Sequence, residues 1–306
     1  MKGKDLLSIA DLTSKEIWQL ITSATKIKQD YRRPFLLGKS LALIFEKPSL
    51  RTKVSFDLAM RELGGHAIYL SQSEVGLGKR EPISDVAQVL SRYVDCIVVR
   101  TFSHQDAEEL ARYATIPVIN GLTDEEHPCQ ALSDLLTIYE KKGKLKGLTL
   151  AFIGDANNVA NSLILAASLV GMNFRIASPN GYQVKERVLS LARRFGSVSG
   201  ATILLTEEPA TAAEGADVVY TDVWTSMGQE AEAEHRRKVF ARYQVDEALL
   251  AKAHEDAIFM HPLPAHHGEE IAKGLLDSPH SVVFDQAENR LHLQKALLLS
   301  VIAGIS

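Results

Sequence analysis

The chain has 306 residues, 46% hydrophobic and 24% charged, with a net charge of −4. That length exceeds one comfortable hydrophobic core and predicts two domains; the mildly acidic balance gives no reason to expect nucleic-acid binding. Two cysteines without metal-ligand spacing (Cys96 and Cys129), no apolar run long enough for a bilayer, and no extended signal-peptide core at the N-terminus together predict a cytoplasmic protein with no membrane or nucleic-acid partner.

Thr13 and Glu16 form a capping-box pattern that opens a helix running toward Gln29. The apolar run Leu41 to Phe45 reads as a strand, stopped by the polar turn Glu46-Lys47-Pro48. An amphipathic helix follows, with Val54 and Leu58 one turn apart, Phe56, Met60 and Leu63 on a neighbouring stripe, and Gly64-Gly65 at its end. Ser49 falls at its N-cap, and Arg51, Thr52 and Lys53 in its first turn. Cations there oppose the helix dipole, which makes sense if an anion such as phosphate binds; a Ser-capped helix with solvated basic residues is the other reading.

Short strands are then expected at Ala67 to Leu70, Cys96 to Val99 and Pro117 to Ile119, with helices at Ile83 to Tyr93, Gln105 to Tyr113 and Pro128 to Lys141. A second series begins with strands at Leu148 to Ile153, Phe174 to Ala177, Ala201 to Leu205, Val218 to Thr221, Ala257 to Met260 and Val282 to Phe284. Helices are expected at Asn158 to Val170, Val184 to Phe195 and Asn289 to Ile302. The alternation predicts an α/β protein of two doubly wound parallel-sheet domains joined by helices. The polar stretch Ser226 to Arg242 reads either as a lid over a site or as an exposed charged helix.

Polar clusters fall at predicted strand ends, where open α/β sheets place ligands. They are Arg100-Thr101, His127-Pro128-Cys129-Gln130, Asp222 through Gly228, and His261 through Glu270. His261, His266 and His267 lack a matching ligand set elsewhere, so no metal is expected. Gly154-Asp155-Ala156-Asn157-Asn158 follows a strand without the full Gly-x-Gly-x-x-Gly spacing, so no dinucleotide and no other cofactor is expected. Asn158, at the helix start, reads as a cap or as a ligand donor.

These segments resemble the aspartate/ornithine carbamoyltransferase family, and within it the ornithine branch, over nearly the whole chain. Phe45 to Thr52 is similar to the family's carbamoyl phosphate signature, and His127 to Gln130 to its His-Pro-x-Gln motif. Asp222 to Gly228 is similar to its Asp-x-x-x-Ser-Met-Gly loop, and Phe284 to His292 to its C-terminal segment. The resemblance implies a carbamoyltransferase-like fold, with a carbamoyl-phosphate-binding domain (1–141 plus 289–306) and an ornithine-binding domain (142–288). It implies transfer of the carbamoyl group from carbamoyl phosphate to the δ-amine of L-ornithine, giving citrulline and phosphate in arginine biosynthesis or catabolism, by a homotrimer or an assembly of trimers.

The roles it implies are specific. Ser49, Leu50, Arg51 and Thr52 hold the phosphate through side chains and first-turn amides. Arg100, His127 and Thr52 polarise the carbamoyl carbonyl, while Gln130, the Leu263 carbonyl and Arg290 complete that pocket. Asn158, Asp222, Ser226 and Met227 hold the amino-acid head of ornithine, with Asp222 suited to its ammonium.

Three departures bear on this. Pro262 stands where the ornithine branch has Cys, as in the aspartate branch, and removes a polar side chain from the acceptor's surroundings. Leu50 replaces a Thr of the phosphate signature. Gly76 replaces a Gln or His that reaches a neighbouring subunit's site in the family; Lys79 or Arg80 could supply that contact, or be solvated loop charges. The alternatives are therefore a carbamoyltransferase for another amine or amino acid, and a non-catalytic ornithine- or phosphate-binding paralogue.

Overall fold

The structure, a computed structural model, describes residues 1–29 and 34–305. The chain divides into two units, Met1–Leu136 with Glu288–Ser306, and Thr137–Ala287.

The first unit opens with α1 (Ser14–Gln29), whose N-terminus carries the expected reciprocal cap between Thr13 and Glu16. Strands β1 (Ser40–Phe45), β2 (His66–Ser71), β3 (Cys96–Arg100) and β4 (Val118–Leu122) form a parallel sheet ordered β2-β1-β3-β4. Helices α2 (Leu50–Glu62), α3 (Gln72–Val75), α4 (Ile83–Leu90) and α5 (His104–Tyr113) lie between these strands in the chain. Ala42, Ile44, Ile97, Val99, Ala107, Leu110 and Val118 form one buried cluster. On α2 the buried stripe is Thr52, Phe56, Ala59 and Met60, followed by Leu63, while Leu50, Val54 and Leu58 are exposed.

The sheet reverses its winding at β1, with β2 on one side and β3 on the other. Ligand crevices form at the carboxyl ends of such neighbours. Phe45 and Arg100 are register partners there, so the turn after β1 and the end of β3 emerge side by side.

Helix α6 (Pro128–Lys142) leads into the second unit. Its strands are β5 (Thr149–Ile153), β6 (Asn173–Ala177), β7 (Ile203–Thr206), β8 (Val218–Thr221) and β9 (Ile258–Met260), all parallel, in the order β7-β6-β5-β8-β9. The helices are α7 (Asn158–Val170), α8 (Glu186–Ser199), α9 (Pro209–Ala213), α10 (Ala233–Phe240) and α11 (Glu247–Leu250); α12 (Val283–Leu298) starts in this unit and continues from Glu288 as part of the first. The winding reverses at β5, so the loops after β5 and β8 flank this unit's crevice. Gly154 turns out of β5 at φ +135, a conformation that favours glycine.

One expected strand is absent. Val282 precedes α12, which Val283 and Phe284 begin, and only Ser281 makes a single bridge, to Phe259. The β-branched pair Val282-Val283 gave the strand signal, but those side chains are buried while Phe284 is exposed, as at a helix start with one covered face. The polar stretch from Ser226 also resolves: it holds α10 between single 3-10 turns at Glu230–Glu232 and Ala241–Tyr243. Arg236 and Phe240 are buried, so it is neither a plain loop nor a fully solvated helix.

Candidate active site

In the first unit the charged residues singled out by sequence converge. Ser49 is extended and caps α2, its hydroxyl accepting from the Thr52 amide (3.3 Å) and donating to Thr52 Oγ1 (3.1 Å). Thr52 is buried and also accepts from Arg290 Nη2 (2.6 Å). Arg290 Nη1 donates to Gln130 Oε1 (3.1 Å), and Gln130 Nε2 donates to buried Asp134 (2.8 Å). With its NH2 turned to Asp134, the amide of Gln130 presents oxygen toward Arg290. Arg100 Nε donates to the Lys47 carbonyl (3.2 Å), and the Lys47 ammonium lies 4.3 Å from the Phe102 ring centre. Glu46, beside them, accepts from the Thr101 hydroxyl.

This cluster is short of negative charge. Burial, then the guanidiniums of Arg290 and Arg51, pull the Arg100 pKa down to about 9. Burial and Arg100 likewise depress Lys47. Burial, then Arg290, Arg100 and Arg51, hold the His127 imidazole well below its usual range, so it is neutral at neutral pH. Two buried guanidiniums and a partly buried third, crowding Arg100 and His127 with positive charge, are suited to receive an anion such as phosphate through forked hydrogen bonds.

Leu50 contributes no side chain here: it is 76% exposed, leaving its helix-start amide as what it can offer. Gly76 sits at the end of α3 with φ +56, a left-handed turn that a Gln or His would strain; a Cβ there would also lie 3.0 Å from that of Arg80. Lys79 and Arg80 are exposed, and Arg80 Nη1 donates to the Glu74 carbonyl (3.0 Å).

In the second unit Asp222 follows β8. Its Oδ1 accepts from the Val223 amide (2.8 Å) and its Oδ2 from Asn157 Nδ2 (2.7 Å). Burial raises its pKa, partly offset by His261 and by these hydrogen bonds. Asn157, not Asn158, is the α7 N-cap; its Oδ1 accepts from the amides of Val159 and Ala160, which forces its NH2 toward Asp222. Asn158 is the first helical residue. Ser226 lies four residues after Asp222, its amide donating to Gln229 Oε1 (3.1 Å), while Met227 is 44% exposed.

The loop after β9 is fixed from behind. His261, buried, takes the Leu263 amide on Nδ1 (2.9 Å) and therefore carries its proton on Nε2, against Glu270 (3.2 Å). Leu263 has φ +57, in the left-handed region that branched residues avoid, a strain found chiefly where neighbouring structure dictates the backbone, as at functional sites. Pro262 precedes it, half-buried. His266, Glu269 and Glu270 each place a ligand atom within 4.8 Å of the others. Arg237 already neutralises Glu269 (2.9 Å), and Glu270 serves His261 and the His266 amide, so these carboxylates work as braces of the loop. Asn157, Asp134 and Arg236 were missed from sequence. Their signals were an Asn one residue before the presumed cap, an Asp four residues after Gln130 on one helix, and the helical spacing of Glu232, Arg236 and Phe240.

Two parallel sheets, each with polar loops at its switch point and one with guanidiniums clustered there, fit a transferase of the carbamoyltransferase class. Residues 4–140 match the aspartate/ornithine carbamoyltransferase carbamoyl-P binding domain, and residues 146–301 match the Asp/Orn binding domain of the same proteins. The chain belongs to the aspartate/ornithine carbamoyltransferase family. Among its relatives are enzymes of the ornithine branch. It is 56% identical to the ornithine carbamoyltransferase of Anoxybacillus flavithermus, covering 99% of this chain and 98% of that protein. It is 52% identical to the anabolic ornithine carbamoyltransferase of Pyrococcus furiosus, over 100% and 98%. The solved ornithine carbamoyltransferase of Pyrococcus furiosus superposes with a TM-score of 0.96 at 52% identity, over 100% of this chain and 99% of that one. That of Thermus thermophilus superposes with 0.90 at 46%, over 99% and 100%.

Proposed function

We propose that this chain transfers the carbamoyl group of carbamoyl phosphate to the δ-amine of L-ornithine, releasing L-citrulline and phosphate. The observation that carries this reading is the set of buried Arg100 and Arg290 with partly buried Arg51 around neutral His127, Thr52 and Gln130. Ser49, Arg51, Thr52 and the first amides of α2 hold the phosphate, with the helix dipole favouring its charge. Arg100, His127 and the Thr52 hydroxyl polarise the carbamoyl carbonyl and stabilise the oxyanion that develops on it. A neutral imidazole suits this role, since it can donate a hydrogen bond without adding to the local positive charge. Gln130 and the Leu263 carbonyl orient the carbamoyl NH2.

Asp222 receives the α-ammonium of ornithine, and Asn158, Ser226 and the Met227 amide receive its head group. The uncharged δ-nitrogen attacks the carbonyl carbon. The C–O bond to phosphate breaks with its electron pair going to the leaving phosphate, and the nitrogen loses a proton. No covalent enzyme intermediate is needed; the residues supply position and electrostatics. The exposed apolar stripe Leu50, Val54 and Leu58 on α2 supports assembly into a homotrimer or a multiple of it. Two buried, unpaired cysteines, and the absence among the described residues of a helix long and apolar enough to cross a membrane, suit a cytoplasmic enzyme.

The test is citrulline formation from carbamoyl phosphate and ornithine by the purified protein, with aspartate, putrescine and N-acetylornithine as parallel acceptors. Turnover with ornithine alone is expected, with Pro262 tolerated in place of Cys. Turnover only with another acceptor moves the assignment to a different carbamoyltransferase. Binding of carbamoyl phosphate with no turnover on any acceptor moves it to a non-catalytic paralogue.

A further inference from the structure

One buried side chain joins the two loops to which the amino-acid substrate is assigned. Arg236, on α10, is 5% exposed. Its Nη1 donates to Asp155 Oδ2 (2.7 Å) and to the Trp224 carbonyl (2.8 Å), and its Nε donates to Glu232 Oε2 (3.1 Å). The guanidinium carbon lies 4.9 Å from the ring centre of Tyr182 and 6.0 Å from that of Phe240, and Phe240 stacks on Trp224.

The placement of these partners is informative. Asp155 lies in the loop after β5, two residues before Asn157, which bonds Asp222, and three before Asn158. Trp224 lies two residues after Asp222 and two before Ser226. We propose that Arg236 is a positioning residue for the amino-acid pocket, fixing the separation of the Asp155–Asn158 and Asp222–Met227 segments without touching ornithine. The inference rests on the reading that Asp222, Asn158, Ser226 and Met227 hold that substrate.

The chemistry selects arginine. A guanidinium offers a rigid planar fork of donors, so it can serve a carboxylate, a carbonyl and a second carboxylate while its face packs on aromatic rings. An ammonium can meet Asp155 but cannot reproduce the fork or the stacking. Without either, the nearly buried Asp155 carboxylate and the Trp224 carbonyl lose their donor, and the two segments are free to separate. Each of these bonds lies within the second unit. The residues assigned to phosphate binding, apart from Leu263, belong to the first. The defect therefore falls on ornithine alone.

The experiment compares wild type, Ser226→Ala, Arg236→Met and Arg236→Lys as full-length proteins, measuring citrulline formation while each substrate is varied. Arg236→Met is expected to raise the ornithine KM about tenfold or more. Its carbamoyl phosphate KM should stay within about twofold, and its kcat at saturating ornithine should fall less than the KM rises. Arg236→Lys should lie between it and wild type. An unchanged ornithine KM in Arg236→Met, or a parallel rise in both KM values, overturns the proposal.

If Arg236→Met does not fold, Asp155→Asn serves in its place: it weakens one bond and should raise the ornithine KM several-fold, and no change there overturns the proposal equally. A raised KM in Ser226→Ala beside a normal one in Arg236→Met removes the role of Arg236 alone. No citrulline from the wild type removes the functional reading, and this inference with it.

Discussion

In the first unit the residues assigned to carbamoyl phosphate are mostly buried and bonded to one another, whereas in the second two of those assigned to ornithine stand on a partly exposed loop. Thr52, Arg290, Gln130 and Asp134 form one chain of hydrogen bonds, set into a sheet whose β1 and β3 ends are in register. Ser226 and Met227 are instead held through their neighbours, by Gln229, by Arg236 and by the Asn157–Asp222 bond. Both places use the same topological device, a switch point in a parallel sheet. The difference teaches that a small dense anion is met by a preformed electrostatic receptor, while a flexible zwitterion is met by a loop whose shape is set from behind.

The comparison breaks most sharply at Arg100. Arg100→Ala removes a donor to the developing oxyanion and should lower kcat by about 10²–10³-fold; steady-state citrulline assays at saturating substrates check this. A kcat within a few-fold of wild type would show that the cluster is only a binding site.

Asp222→Asn comes next. Loss of the charged acceptor should raise the ornithine KM by about 10–100-fold, with the carbamoyl phosphate KM unchanged. Its effect on stability depends on pH. Burial raises the Asp222 pKa above the ordinary 3.8, so the folded chain binds that proton more tightly than the unfolded chain does. Stability is then lost as pH rises from the unfolded value through the raised folded one. Asparagine does not titrate but sets an NH2 against one of the two donors that Asp222 accepts, so only the pH trend is diagnostic: the melting temperature of the variant relative to wild type should rise as pH goes from about 4 to neutral. Thermal melts at the two pH values read the sign directly.

Asn157→Ala sharpens the contrast further. It removes a helix cap worth about 1 kcal/mol together with the Nδ2 partner of Asp222. A lower melting temperature should accompany a several-fold rise in ornithine KM; a stability loss without the KM change would reduce Asn157 to a cap. The smallest effect is expected at Pro262→Cys, which should change the ornithine KM by no more than about threefold, because the loop is fixed by the His261–Glu270 and His261–Leu263 bonds rather than by residue 262. A tenfold gain in ornithine affinity would make Pro262 a determinant of acceptor choice.

Much of this was legible in the sequence for definite reasons. The cap at Ser49 and the strand ends at Arg100 and Asp222 could be read because each is a local pattern: a hydroxyl before a helical stripe, or a polar residue closing an apolar run. The strand at Val282 failed because β-branched residues carry the same signal at a buried helix start. The sequence offers Asn158 as a cap or a ligand donor, whereas the cap is Asn157, because boundaries shift by one or two positions in pattern reading. Arg236 could not be recognised as buried, since its partners Asp155 and Tyr182 are distant in the chain and only the fold brings them together. The role of Asp134 was hidden likewise: that Gln130 turns its NH2 to Asp134 depends on where Arg290, 160 residues away, takes its oxygen.

The most direct test of two separately built halves is calorimetric titration of freshly prepared carbamoyl phosphate into wild type, Arg100→Ala and Asp222→Asn. The account predicts that Asp222→Asn binds carbamoyl phosphate like the wild type and that Arg100→Ala binds it far more weakly. Equal weakening in both variants, or undiminished binding by Arg100→Ala, would contradict it.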